Sequence, residues 1–109
     1  MIKSYAAKLH ELAVDIASKI AESMGLAGCS FNEWTCLLRP NKYSFTQETV
    51  GSSGVFTHTD TSFLTVLQED ESVGGLEMML DQSSGEFVAV DPVPGSFLVN
   101  LGDVAKVST

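Results

Sequence analysis

Apolar residues at the start of the chain recur at helical spacing. Leu9, Leu12, Ile16 and Ile20 fall three and four apart, with Tyr5, Ala13 and Met24 near the same face, while Lys8, Glu11, Asp15, Lys19 and Glu22 take the other. This spacing predicts one amphipathic helix over residues 4–24, whose apolar stripe must lie against something. Ser4 is suited to cap its start. Gly25 is the natural stop, because it turns left-handed without a Cβ clash. His10 sits beside the stripe and reads as a half-buried or surface histidine rather than a ligand. Residues 25–36 form a Gly-, Cys- and Ser-rich connection with room for a short helix around Phe31 to Thr35, and Phe31 and Trp34 read as core anchors.

From Leu37 the period changes to that of strands. The pattern predicts strands at 37–45, 54–59, 63–68, 75–80, 86–90 and 96–101, with a stub at 104–107. Turn-forming residues separate them: Gly51-Ser52-Ser53-Gly54, Glu69-Asp70-Glu71-Ser72, Asp81-Gln82-Ser83-Ser84-Gly85 and Asp91-Pro92-Val93-Pro94-Gly95. One helix followed by many short strands, with no crossover helices, implies a mainly β sandwich or barrel with a helical buttress. The organisation is an N-terminal helical region, residues 1–36, and a β domain, residues 37–109.

Composition narrows the class. The 109 residues are 44% hydrophobic and 18% charged, which is globular and not disordered. Six basic against fourteen acidic residues give a net charge of −8, and Arg39 is the only arginine. That rules out a guanidinium patch and argues against nucleic acids and anionic membranes, which want clustered Lys and Arg. Cys29 and Cys36 have neither redox-pair nor zinc-knuckle spacing and read as free thiols of a reducing compartment. The N-terminus is neither a secretory signal nor a basic transit peptide, and no run reaches the roughly 20 apolar residues of a membrane span. A cytoplasmic location is expected.

The segment Gly54-Val55-Phe56-Thr57-His58-Thr59-Asp60 carries the candidate chemistry. In extended backbone, side chains at i and i+2 point to the same side. The His58 imidazole and the Asp60 carboxylate then lie side by side, with Thr59 facing away. One ring nitrogen and one carboxylate oxygen are two corners of a facial triad suited to Fe(II). An H-x-D pair alone is weak, since it occurs often in arbitrary sequence and on spacing alone a surface pair is the better explanation. His10 is the only other histidine. Glu77 and Asp103 are the carboxylates left to supply a third ligand, and local spacing places neither. Asn41 and Tyr43 share a strand face and are candidates for holding a small molecule, with structural hydrogen bonding the alternative.

Several motifs occur together. They are Arg39-Pro40-Asn41-Lys42-Tyr43, His58-Thr59-Asp60 followed by Phe63-Leu64-Thr65-Val66-Leu67-Gln68, then Gly74-Gly75-Leu76-Glu77, and Pro94-Gly95-Ser96-Phe97-Leu98-Val99-Asn100-Leu101-Gly102-Asp103. In this order and spacing the chain resembles the plant-type 2-oxoglutarate- and iron(II)-dependent dioxygenases (isopenicillin N synthase-like). The wording around Thr49 to Val55 and Glu69 to Leu76 is most similar to the auxin-oxidising branch.

The resemblance implies a double-stranded β-helix, or jelly roll, here incomplete and lacking its C-terminal strands. It implies Fe(II) held by His58 and Asp60, and 2-oxoglutarate seated by Asn41 and Tyr43. The family's second iron-binding histidine has no counterpart in this sequence. Nor has the arginine–x–serine pair that grips the far carboxylate of 2-oxoglutarate. Pro40 and Ser62 depart from the family pattern, the first where an aliphatic strand residue is usual and the second where glycine is frequent. The implied activity is oxidation or hydroxylation of a small organic acid, indole-3-acetic acid being the specific candidate, with weak or no turnover by these residues alone. The alternative is a catalytically dead β-rich module that pairs with full-length relatives. Exposed sheet edges lead one to expect self-association.

Overall fold

A computed structural model describes residues 1–26, 30–31, 33–44, 46–70 and 73–108. Cys29 lies outside the described residues, as do Phe45 at the end of one expected strand and Glu71 and Ser72 of the 69–72 separator. The elements in order are helix α1 (Ile2–Ser23), strands β1 (Leu64–Leu67), β2 (Leu76–Asp81), β3 (Glu86–Val90) and β4 (Leu98–Leu101), and helix α2 (Asp103–Ser108). They divide into two units, residues 1–64 with 101–109, and residues 65–100.

In the first unit, α1 begins two residues earlier than its periodicity implies. Met1 takes the cap position without a side-chain bond, so Ser4 lies inside the helix and does not cap it. The C-terminus ends as expected at Gly25, with φ +78°. The Leu26 N–H donates to the Ala21 carbonyl at 2.9 Å and the Gly25 N–H to the Glu22 carbonyl at 3.1 Å, the paired bonds of a Schellman motif.

The buried face of α1 is rotated from the Leu9–Leu12–Ile16 stripe. Ala17 and Ala21 are buried, with Val14, Ile20 and Met24 packed around them, whereas Leu9, Leu12 and Ile16 stay half-exposed. Small residues won the contact because they let neighbouring chain approach the helix closely. The neighbours are Phe31, Phe63 and Ala105, and Ala105 is fully buried. Phe31 and Phe63 stack obliquely at 4.8 Å, and Trp34 meets them at 4.8 and 6.0 Å, tilted and edge-on. Phe31 is thus the core anchor its sequence position implied, while Trp34 lies at the margin, 44% exposed. The short helix expected around 31–35 includes Asn32, which is outside the described residues. What is described is one turn, the Trp34 N–H donating to the Phe31 carbonyl at 3.1 Å.

The expected strands at 37–45 and 54–59 are not formed; the described residues there have no ladder partner. Alternation makes a strand only where a second strand lies alongside to take its N–H and C=O groups. Pro40 further removes a donor from the first of these segments. The expected stub at 104–107 is instead part of α2. Val104 and Val107 favour extended structure locally, but burial of Ala105 against the α1 contact outweighs that preference.

The second unit follows its sequence pattern closely. β1 neighbours β4, and β2 neighbours β3. The β2–β3 hairpin is antiparallel, with Leu76 opposite Val90, Met78 opposite Val88 and a bulge between Met79 and Asp81. Its loop is built by Asp81. The carboxylate accepts from the Ser83 N–H at 3.0 Å and from the Ser83 hydroxyl, and the Gly85 N–H donates to the Asp81 carbonyl at 3.1 Å. These bonds hold the Asp81 carboxyl below the ordinary aspartate range. Many apolar side chains in this unit stay in solvent, Leu80 at 71% among them. No helix among the described residues is long and apolar enough to cross a membrane.

Among the described glycines of the first unit, Gly102 has the closest surroundings. A Cβ there would sit 1.8 Å from the Ser62 carbonyl oxygen, a backbone atom with little freedom to yield. Gly102→Ala is therefore expected to destabilise the unit by about 2–3 kcal/mol. Urea unfolding followed by fluorescence of Trp34, the single tryptophan, measures it; an unchanged midpoint contradicts the packing described.

Candidate metal centre

His58 and Asp60 lie on unladdered chain, so their geometry comes from local bonds. The His58 Nδ1 lies 2.8 Å from the Phe56 carbonyl oxygen. A carbonyl only accepts, so Nδ1 carries the proton and the neutral ring keeps its lone pair on Nε2. That nitrogen stands 3.6 Å from Asp60 Oδ1. In the neutral ring these are two acceptors facing one another, an arrangement that a shared cation relieves. Donors in adjacent corners of an octahedral divalent ion, with bonds near 2.1 Å, lie about 3 Å apart, so a small rotation of either side chain closes the pair on one ion. With the ring protonated the same contact is a partly exposed ion pair, and such pairs contribute little to stability. The His58 side chain is 61% exposed and that of Asp60 31%.

The donor set fits a metal in part. Among the described residues no group of three His, Cys, Asp or Glu side chains is placed to hold one. The carboxylates considered as a third ligand are engaged or distant in the chain. Asp103 accepts from the Thr59 hydroxyl at 3.0 Å. Glu77 lies in the second unit, on β2 opposite Ala89. His10 is half-buried and lines a groove of about 90 Å³ with Val14, Ala17, Phe31 and Trp34. Cys36, an exposed free thiol, lines the same groove.

Asn41 is exposed, and Tyr43 is 64% exposed. The Tyr43 ring lies over Gly54, where a Cβ would come within 3.3 Å of it, and so touches the start of the segment that leads to His58. His58 and Asp60 are brought together; Tyr43 lies against the start of their segment at Gly54, and Asn41 is on exposed irregular chain.

The spacing of H-x-D did not disclose what fixes that segment. The Asp103 N–H donates to the Asp60 carbonyl at 2.8 Å, the Gly102 N–H to the Phe63 carbonyl at 2.8 Å and the Val104 N–H to the Ser62 carbonyl at 3.3 Å. Thr59, between the two members of the pair, is bonded to Asp103. The available signal was Gly102-Asp103 after an apolar strand, which by itself reads as an ordinary turn.

Comparison with known proteins shows the family and the fold. The model of the 2OG-Fe(II) oxygenase superfamily matches residues 34–109. The 2-oxoglutarate-dependent dioxygenase DAO of Oryza sativa subsp. indica is 60% identical over 105 residues, covering 96% of this chain and 35% of that protein. The crystal structure of the rice dioxygenase for auxin oxidation superposes with a TM-score of 0.82 at 56% identity, over 96% of this chain and 35% of that one. Dioxygenase for auxin oxidation 1 of Arabidopsis thaliana, solved with 2-oxoglutarate, gives 0.81 at 50% identity, over 95% and 39%. The strands are therefore part of a jelly roll, and the chain spans about a third of the length of these relatives.

With two protein donors the centre should bind Mn(II) weakly and through both side chains. His58→Ala and Asp60→Ala are each expected to lower Mn(II) affinity about 10-fold or more, read as free-ion signal by electron paramagnetic resonance. Equal binding by both variants and the unaltered chain contradicts a shared site.

Proposed function

The chain belongs to the 2OG-Fe(II) oxygenase superfamily, and from that membership we propose that it is the iron-binding part of a 2-oxoglutarate- and Fe(II)-dependent dioxygenase that oxidises a small organic acid of the auxin type, indole-3-acetic acid being the specific candidate. The observation that carries the proposal is the His58 Nε2 lone pair facing Asp60 Oδ1. The 60% identity to the rice dioxygenase DAO supports the choice of substrate class.

The iron, when bound, supplies the Lewis-acid and redox chemistry that couples decarboxylation of 2-oxoglutarate to oxidation of the substrate. The residues of this chain hold and orient. His58 gives Nε2 to the ion because its other nitrogen is committed to the Phe56 carbonyl. Asp60 gives a carboxylate oxygen. Asn41 and Tyr43 offer an amide and a phenol to seat the acidic co-substrate.

Two further demands are unmet within the 109 residues. A facial triad takes a third protein ligand, and His10 in α1 is the only other histidine. A dicarboxylate also takes a guanidinium partner, without which its desolvation goes uncompensated. Arg39, the only arginine, belongs to the Arg39–Tyr43 motif and not to an arginine–x–serine pair. By themselves these residues should therefore turn over weakly or not at all.

A second reading rests on the apolar side chains left in solvent, among them Leu37 at 79% and Leu80 at 71%. They favour a β-rich module that covers itself by pairing with a full-length relative or with another copy. Capture of the rice dioxygenase by a His58→Ala, Asp60→Ala double variant would favour that reading, since it needs no metal.

The enzymatic reading is tested by a chimera in which these residues replace the corresponding third of the rice dioxygenase. It is expected to form succinate from 2-oxoglutarate when supplied with Fe(II) and indole-3-acetic acid, and His58→Ala within it to lower the rate by about 100-fold or more. The 109 residues alone are expected to stay at background. A chimera indifferent to His58→Ala contradicts the proposal.

A further inference from the structure

His58 and Asp60 project from backbone that no strand supports, so their separation depends on whatever else fastens that backbone. We propose that Thr59 and Asp103 are positioning residues for this pair, an inference that rests on reading His58 and Asp60 as ion ligands.

Asp103 holds the segment twice. Its N–H donates to the Asp60 carbonyl at 2.8 Å, and its carboxylate accepts from the Thr59 hydroxyl at 3.0 Å. Together with the Thr59–Asp60 peptide, these bonds close a ring through both residues. Within it the peptide cannot rotate without breaking one of them. That peptide sets the direction of the Asp60 side chain on one side and the path back to His58 on the other.

The bonds from Gly102 to Phe63 and from Val104 to Ser62 fasten the chain only beyond Asp60. The Thr59 hydroxyl is the contact that carries the fastening past Asp60 toward His58. The hydroxyl is engaged with the Asp103 carboxylate at 3.0 Å, while His58 Nε2 and Asp60 Oδ1 face one another at 3.6 Å, so the anchor uses none of the atoms offered to an ion. Asp103 in turn is held by Gly102, whose missing Cβ lets residues 102–104 lie against Ser62. The anchor therefore stands on packed backbone and not on a freely moving side chain.

Co(II) titration of the 109-residue chain, followed by visible absorption, tests the role. Thr59→Val keeps the shape and removes the donor; it is expected to weaken Co(II) binding about fivefold, the equivalent of one ordinary hydrogen bond. It should also speed hydrogen exchange at the Asp103 amide by a similar factor. Thr59→Ser, which restores the hydroxyl, should recover both, a rescue that lost packing would not give. If Thr59→Val loses the folded fluorescence of Trp34, Asp103→Ala carries the test with the same expected loss. Unchanged Co(II) affinity in Thr59→Val, or no recovery in Thr59→Ser, overturns the positioning role while leaving the ligand pair standing. If the unaltered chain shows no Co(II) binding that depends on His58, the pair itself fails and the positioning role fails with it.

Discussion

The approach of Gly102 to Ser62 governs the first unit. Residues 102–104 can donate three N–H groups to the carbonyls of Asp60, Ser62 and Phe63 only because position 102 has no side chain. The same approach starts α2 where Ala105 can be buried in the cluster with Ala17, Ala21, Phe31 and Phe63. One close backbone contact thus serves the core and the candidate site together. Phe63 joins the two, being both a member of the aromatic trio and an acceptor for Gly102.

The chemistry of the pair follows from where one proton resides. Commitment of His58 Nδ1 to the Phe56 carbonyl leaves the Nε2 lone pair facing Asp60 and able to ligate an ion. Partial exposure keeps the repulsion between two lone-pair groups small in the absence of an ion. It also means that two donors alone hold an ion loosely. Tight binding and catalysis ask for a third ligand and for a cation facing 2-oxoglutarate. The chain, which spans about a third of the length of its relatives, supplies two such donors from one segment.

What the sequence disclosed divides along physical lines. The 86–90 strand, the β2–β3 hairpin and its Asp81–Gly85 turn were legible because their determinants are local: alternation, an aspartate that bonds its own turn, and a glycine with φ +65°. So was the stop of α1 at Gly25. The buried face of α1 was misjudged because hydrophobicity ranks Leu9, Leu12 and Ile16 above Ala17 and Ala21, whereas close packing selects small side chains. Segments 37–45 and 54–59 alternate convincingly, but a ladder needs a partner that alternation does not report. The 104–107 stretch has strand propensity and became helix through Ala105. At the site, the meeting of His58 and Asp60 was legible from their i, i+2 spacing. The Thr59–Asp103 link, spanning 44 residues, was not, since no local pattern announces it.

As proposed, one ion is shared between His58 Nε2 and Asp60. Long-range ¹H–¹⁵N correlation of the imidazole during titration with Zn(II) tests it most directly. The Nε2 resonance is expected to move on metal binding while Nδ1 keeps its proton and its bond to Phe56, and Asp60→Ala is expected to weaken the effect greatly. A ring whose Nδ1 takes the metal, or whose nitrogens do not respond at concentrations that saturate the Mn(II) signal, would contradict it.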